Sequence, residues 1–355
     1  MKPGDLLDDR SAIAQVDLHG VGRALSDFPS QCREGTRLAQ SSSFVPIAAR
    51  HVLLAGMGGS AVSGDLLIAC AGERLPIPVA VCRGYRLPAF VGAESLVVAS
   101  SYSGDTGEVL SMVDAAIRRK ASVVALTSGG ALEAAARRWS VPLVKLPGGL
   151  APRGALGYLF FPLLSILESA GLKPITPAEC REALTLLDVM SRELGPDRPA
   201  SENEAKRLAL AVHGRIPVVY GGELTAAAAY RWNTQAEENA KLLAFHGALP
   251  EMNHNEIEAW RAAEARVFHV VLLRDGGEGA ATARRFAVTR DLIAEGPAKV
   301  SEVRSRGEGP LARVLSLVYL GDWVSYYLAL LRGVDPRPVP VIEMVKRRLA
   351  APPSP

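Results

Sequence analysis

The chain has 355 residues, 48% of them hydrophobic and 22% charged, with a formal net charge of +3. This length holds two domains of ordinary size, each with its own core, and the composition excludes a mostly disordered chain. A charge so near neutral, with no basic stripe, argues against nucleic acid and points to a small partner.

Residues 5–45 carry helical spacing at Ile13, Val16, Leu18, Val21 and Leu25 and close in a serine-rich loop, Gln40 to Ser43. This predicts a helical lead-in, residues 1–45, packed on a first domain of residues 46–150. From His51 onward apolar runs alternate with helical patterns. His51–Ala55, Ile77–Val81, Ser95–Ser100, Ser122–Thr127 and Pro142–Leu146 read as strands, and 61–70 and 108–120 read as helices. Such alternation implies a parallel sheet covered on both faces, an α/β fold.

Two turns in this half stand out. Gly56-Met57-Gly58-Gly59-Ser60 follows the first strand, and Ser101-Tyr102-Ser103-Gly104-Asp105-Thr106 follows Ser95–Ser100. Hydroxyls and free backbone N–H groups at the positive end of a helix suit a dianionic phosphate. The plainer alternative is an ordinary N-cap, with Ser103 or Thr106 capping its own helix and Glu108 in the first turn. Two such turns on neighbouring parallel strands would face one crevice, and that favours the phosphate.

Pro147 to Pro152 reads as a loop and a boundary, with Arg153 directly after it. An apolar helix at 155–170 has no polar face and so reads as buried. Residues 151–200 form connecting helices that end in the linker Gly195 to Pro199. The second domain, 201–355, repeats the order of the first: a helix at 203–212, a strand at Ile216–Tyr220, Gly221-Gly222, then a helix from Leu224. Further strands are expected at Arg266–Leu273 and Lys299–Val303, a long apolar helix at Leu311–Leu331, and a short helix at 339–349 with a basic end.

Cys32, Cys70, Cys82 and Cys180 are scattered with no Cys-x-x-Cys pair, so buried free thiols are expected. The first residues lack the regions of a signal peptide, and the run Ala155 to Leu167, taken as the longest apolar one, is too short to span a bilayer. A cytoplasmic protein with no membrane partner is the expectation.

The densest polar stretch runs from Arg231 to Lys241 and continues at Pro250 to Glu256. On a helix Glu237 precedes Lys241 by four residues, which predicts a solvated ion pair. Glu238 is rotated about 100° away and is left free to face a cleft. Spacing alone does not exclude the reverse assignment of the two carboxylates. His254, among Asn253, Asn255 and Glu256, reads either as a neighbour of an N-cap or as a functional group. No second histidine lies at ligand spacing, so no metal is expected.

These motifs, with Pro-Arg-Gly-Ala-Leu-Gly at 152–157, Glu-Asn-Ala-Lys at 238–241 and Asn-His-Asn-Glu at 253–256, resemble the bifunctional phosphoglucose/phosphomannose isomerases of the sugar isomerase (SIS) family. The resemblance covers most of the chain in order. It implies two tandem SIS domains, each a three-layer, doubly wound parallel sheet flanked by helices, working as a homodimer. It implies a hexose 6-phosphate substrate and an enediolate mechanism that needs no metal or redox cofactor. By position, Glu238 becomes the base and Arg153 the enediolate stabiliser. His254 becomes the ring-opening group supplied by the second subunit, and Lys346 assists it. Gly59, Ser60, Ser101, Ser103 and Thr106 become the phosphate cradle. Another phosphosugar isomerase, or a sugar-phosphate-binding protein without turnover, stands as the alternative. Three positions depart from the family pattern: Asp105 in place of Asn, Gly107 in place of Glu, and Arg337 in place of a small hydroxyl residue.

Overall fold

The computed structural model describes residues 3–40 and 47–350. The first two residues and the expected serine-rich loop at 41–43 lie outside the described residues.

Four helices open the chain: α1 (Pro3–Asp8), α2 (Arg10–Val16), α3 (Val21–Ser26) and α4 (Phe28–Gln40). Aspartates set two of their starts. Asp9 accepts from the N–H of Ser11 and Ala12, and Asp17 from Val21 and Gly22. The lead-in is helical as expected, but it rests mainly on the helices that follow the first sheet rather than on that sheet.

The first sheet is built from β1 (His51–Ala55), α5 (Gly58–Ala71), β2 (Val79–Cys82), β3 (Ser95–Ser100), α6 (Gly107–Arg118), β4 (Ser122–Thr127), α7 (Gly130–Arg138) and β5 (Leu143–Lys145). All its strands are parallel, in the order β2-β1-β3-β4-β5. Alternate residues feed two cores. Leu54, Val98 and Leu126 face one layer, while Leu53, Val97 and Ala125 pack with Val109 and Met112 of α6 and Leu132 of α7 on the other. Burial on both faces is why these strands are nearly continuous apolar runs.

Three helices follow: α8 (Leu156–Ser169), α9 (Pro177–Leu194) and α10 (Glu204–Val212). The start of α9 is fixed by a capping box between Thr176 and Glu179. The second sheet comprises β6 (Ile216–Gly221), α11 (Ala226–Ala240), β7 (Phe245–Ala248), β8 (Phe268–Arg274), α12 (Ala280–Ala294) and β9 (Lys299–Arg304), again parallel, in the order β7-β6-β8-β9. α13 (Pro310–Leu331) and α14 (Pro340–Ala350) complete the chain. One continuous core spans the inner faces of both sheets and includes α8 and α13, so the two halves share a helical layer.

Two expectations change here. α13, rather than 155–167, is the longest apolar stretch, and by length and composition it could cross a membrane; instead, 94% of its apolar window is buried inside the fold. Every residue from Val314 to Leu330 is buried, because the helix is walled by α9, α10 and α11. Of the four thiols, only Cys32 and Cys70 are buried, and Cys82 and Cys180 are half-buried.

Candidate active site

The two glycine-rich turns lie at the carboxyl ends of β1 and β3, which are neighbours. The chain leaving β1 goes to β2 on one side and the chain leaving β3 goes to β4 on the other, so a crevice opens between them. In neither α5 nor α6 does a first-turn N–H donate to the side chain of the helix's own N-cap residue. The Thr106 hydroxyl instead pairs with Ser101 Oγ at 2.8 Å, and Ser101 Oγ accepts from Gly104 N–H at 3.1 Å. The plain N-cap alternative therefore does not describe this turn. Gly104 has φ +78°, and a Cβ there would run into the carbonyl oxygen of Gly129. Ser60 is buried in the first turn of α5.

Gly59 brings this first turn against the short 3-10 turn Pro152–Gly154: its Cβ position lies 3.3 Å from the Pro152 carbonyl oxygen and 3.4 Å from Arg153 Cα. Arg153, only 6% exposed, reaches from there to the end of α11. Its Nη1 donates to Glu238 Oε2 at 3.1 Å and its Nε to Asn239 Oδ1 at 2.6 Å. Nη2 donates to the backbone oxygens of Pro336 at 2.6 Å and Arg337 at 2.8 Å, on the irregular segment 335–338 between α13 and α14. Burial draws the Arg153 guanidinium down from its ordinary value; Glu238 opposes that, and Arg337 and Arg231 add to it. It stays a cation at any working pH. Behind it, Arg231 Nη2 donates to the Arg153 carbonyl at 3.0 Å, and the Arg231 guanidinium is held by both oxygens of Asp322, Nε to Oδ1 at 2.9 Å and Nη2 to Oδ2 at 2.7 Å.

The Glu238 side chain, 29% exposed, opens on a cleft of about 560 Å³ lined also by Thr234, Glu237, Lys241, Val341 and Ile342. A carboxylate and a fixed guanidinium thus meet across the two halves of the chain, with the backbone of Arg153 against Gly59 in the first turn of α5. That pairing can move a proton at carbon and hold the oxyanion that results.

A model of the bacterial phospho-glucose isomerase C-terminal SIS domain matches residues 201–349. The chain is 39% identical over 302 residues to a bifunctional phosphoglucose/phosphomannose isomerase of Caldicellulosiruptor bescii, covering 84% of this chain and 89% of that protein. This chain belongs to the bifunctional phosphoglucose/phosphomannose isomerase family. A second member, from Thermoplasma acidophilum, is 34% identical over 84% of this chain and 90% of its own length. Among solved structures, a hypothetical protein from Thermus thermophilus shares the fold at a TM-score of 0.76 with 18% identity, covering 98% of this chain and 95% of that one.

The departures from the pattern of these isomerases have visible geometry. Asp105 turns away from the crevice, and its Oδ1 accepts from the Ala131 N–H at 2.9 Å, capping α7. Gly107 is simply the exposed first residue of α6. Arg337 folds back so that Nη2 donates to the Gly149 carbonyl at 2.8 Å. It thereby ties segment 335–338 to the loop whose Pro147 and Leu150 bond the Tyr102 hydroxyl.

Glu238 and Arg153 meet within one chain; His254 and Lys346 do not join them. His254 ends the 3-10 turn Glu251–His254, exposed and with no side-chain hydrogen bond among the described residues. The N-cap role falls to Asn255, which accepts from Glu256 N–H at 2.6 Å. The loop is fastened around it: the buried Tyr220 hydroxyl donates to Glu256 at 2.5 Å, and Asn253 donates to Thr289 at 2.8 Å. Lys346 lies on α14, where every residue from Val341 to Leu349 is exposed. The expected Glu237–Lys241 pair does not form. Lys241 lies past the end of α11 in a left-handed conformation, φ 52° and ψ 39°, so the four-residue helical spacing no longer applies. Sequence reasoning missed Asn239, the Arg231–Asp322 pair and the carbonyls of Pro336 and Arg337. Asn239 lay inside a motif already singled out, whereas a backbone acceptor has no side-chain signature.

Proposed function

We propose that this chain interconverts glucose 6-phosphate, and also mannose 6-phosphate, with fructose 6-phosphate. The contact between Arg153 Nη1 and Glu238 Oε2, at 3.1 Å, carries the reading. The phosphate rests on the uncapped starts of α5 and α6, among Gly59, Ser60, Ser101, Ser103 and Thr106. Glu238 takes the proton from C2 of the open-chain aldose, the electrons move into the C1–C2 bond and onto O1, and the oxyanion lies against Arg153. A proton passes from O2 to O1, the electrons of the C1–C2 double bond go to C1 as the C2=O2 carbonyl forms, and Glu238 returns its proton to C1 to give the ketose. Glucose and mannose 6-phosphates differ only at C2, and a base that reaches C2 from either epimer serves both. The exposed His254, on a loop held at Asn253 and Glu256, supports a homodimer in which each chain lends its histidine to the other's site for ring opening, with Lys346 assisting. Residues 46–150 and 201–355 are the two SIS domains of this reading.

The test is steady-state isomerisation of fructose 6-phosphate by wild type and Glu238→Gln. The substitution removes the base and leaves the cradle, so kcat is expected to fall by about 100- to 10,000-fold with KM nearly unchanged. A fully active Glu238→Gln would dismiss Glu238 as the base. Wild-type binding of the sugar phosphate without turnover would make the chain a sensor.

A further inference from the structure

Lys241 and the segment it grips have no part in the chemistry described so far, yet they sit against both of its central residues. The three N–H donors of the Lys241 ammonium lie within hydrogen-bond reach of four backbone carbonyls, so at least one donor is shared: Glu238 at 2.7 Å and Asn239 at 3.3 Å on the end of α11, and Asp335 at 3.2 Å and Pro336 at 3.1 Å on segment 335–338. The Pro336 oxygen is shared, since it also accepts from Arg153 Nη2. One ammonium thus bridges the turn of helix that carries Glu238 and the segment that holds Arg153. Its backbone adopts the left-handed conformation, which among the described non-glycine residues is found elsewhere only at Lys120 and Ser140. That conformation costs an L-residue about 1–2 kcal/mol and persists only where its surroundings hold it.

We infer that Lys241 is a positioning residue for the isomerisation: it clamps segment 335–338 to the end of α11 and so sets the guanidinium of Arg153 against the carboxylate of Glu238. The inference rests on the reaction proposed above. Arg153 is buried and its Nη2 is spent entirely on Pro336 and Arg337, so a shift of those carbonyls shifts the guanidinium with them. The phosphate cradle, on the first sheet, is not touched by Lys241. Loss of the clamp therefore acts on the chemical step and not on capture of the sugar phosphate.

The clamp also titrates. Burial, with Arg153 next in size, pushes the Lys241 ammonium down to about 8, while Asp335 and Glu238 hold it up. Other charges border it. Arg332, at the end of α13, donates to the carbonyls of Ala240 and Lys241; His19 bonds Asp335; and Glu237 lines the same cleft. The charged clamp is complete below that value and weakens as the pH rises through it.

The experiment is kcat and KM for fructose 6-phosphate from pH 6 to 10 with wild type, Lys241→Met and Lys241→Arg. Lys241→Met is expected to lose about 10- to 100-fold in kcat with KM within about twofold of wild type, the cost of a misplaced catalytic group. Wild-type kcat should fall on the alkaline side with a midpoint near 8, and Lys241→Arg, which keeps its charge, should lack that limb while retaining most of the activity at pH 7. Should Lys241→Met fail to fold, the limb in Lys241→Arg decides alone. A wild-type kcat in Lys241→Met, or an unchanged limb in Lys241→Arg, overturns the clamp and leaves the isomerase standing. No turnover by wild type at any pH removes the isomerase and the clamp together.

Discussion

A guanidinium carries five N–H donors, and four of those on Arg153 are spoken for: one on Asn239, one on Glu238 and two on the carbonyls of Pro336 and Arg337. The fifth, on Nη1 beside Glu238, remains for an oxyanion. The same arithmetic applies to the hydroxyls of the first turn. Ser101 and Thr106 bond each other and Ser103 takes only a long contact from Asp105 N–H at 3.4 Å, so Ser103 has the most capacity left for a phosphate. Ser103→Ala is expected to raise KM for fructose 6-phosphate about tenfold and Thr106→Ala somewhat less, with kcat little changed in steady-state assays; an unaltered KM in both would remove the cradle. At this scale the sequence was readable where chemistry is carried by side chains in a compact motif. Rotation alone leaves Glu237 and Glu238 undecided, because the Glu237–Lys241 pair does not form, and the partner of Glu238 lies 85 positions away, where no spacing rule finds it. The Lys241 error has a physical origin: the i,i+4 rule assumes that the helix continues, and α11 stops at Ala240.

Between elements, the junction of α11 with α13 carries the site. Arg231, Gln235 and Asn239 lie along one face of α11, and they meet Asp322 and Ser325 of α13 in a buried polar network. Arg231 and Asp322 are 3% and 4% exposed at their side chains. Arg231→Met leaves Asp322 a buried carboxylate without its counter-charge, which should cost about 3–5 kcal/mol of stability by urea denaturation. A loss under about 1 kcal/mol would show the pair to be dispensable. The strands bounded by turns and the apolar helices were legible because burial on both faces leaves unbroken apolar runs. Three elements were not anticipated. α7 begins in Gly129-Gly130, which reads as loop; α12 buries only Phe286, Thr289 and Ile293; and β7 is a four-residue edge strand, half of it exposed, with a glycine inside. α12 and β7 lack the apolar period that local reading needs, and in α7 the period is only Leu132 and Ala136 behind a glycine pair.

Across the whole molecule, the first sheet and the helical layer share one core, and an ion pair at its edge ties them as well. Arg74, just beyond α5, forms a two-pronged pair with Glu179 in the first turn of α9, at 2.7 and 2.8 Å. That pair, with the Thr176 contacts, pulls the Glu179 carboxyl from its ordinary 4.5 down to about 2. A carboxylate depressed in the folded state adds stability that is complete above its unfolded value and fades as pH falls toward the folded one. Wild-type stability to urea should therefore drop more steeply than that of Glu179→Gln between about pH 5 and pH 2, and parallel curves would dismiss the pair as a contributor. The segment at 335–338 works on the same scale, because it closes the site from the far end of the chain. A polypeptide still emerging from the ribosome and short of Pro336 would own both sheets and a finished cradle, yet its buried guanidinium would have nothing to rest two of its protons on. Placement of that guanidinium would then wait for one of the last stretches of the chain to be made.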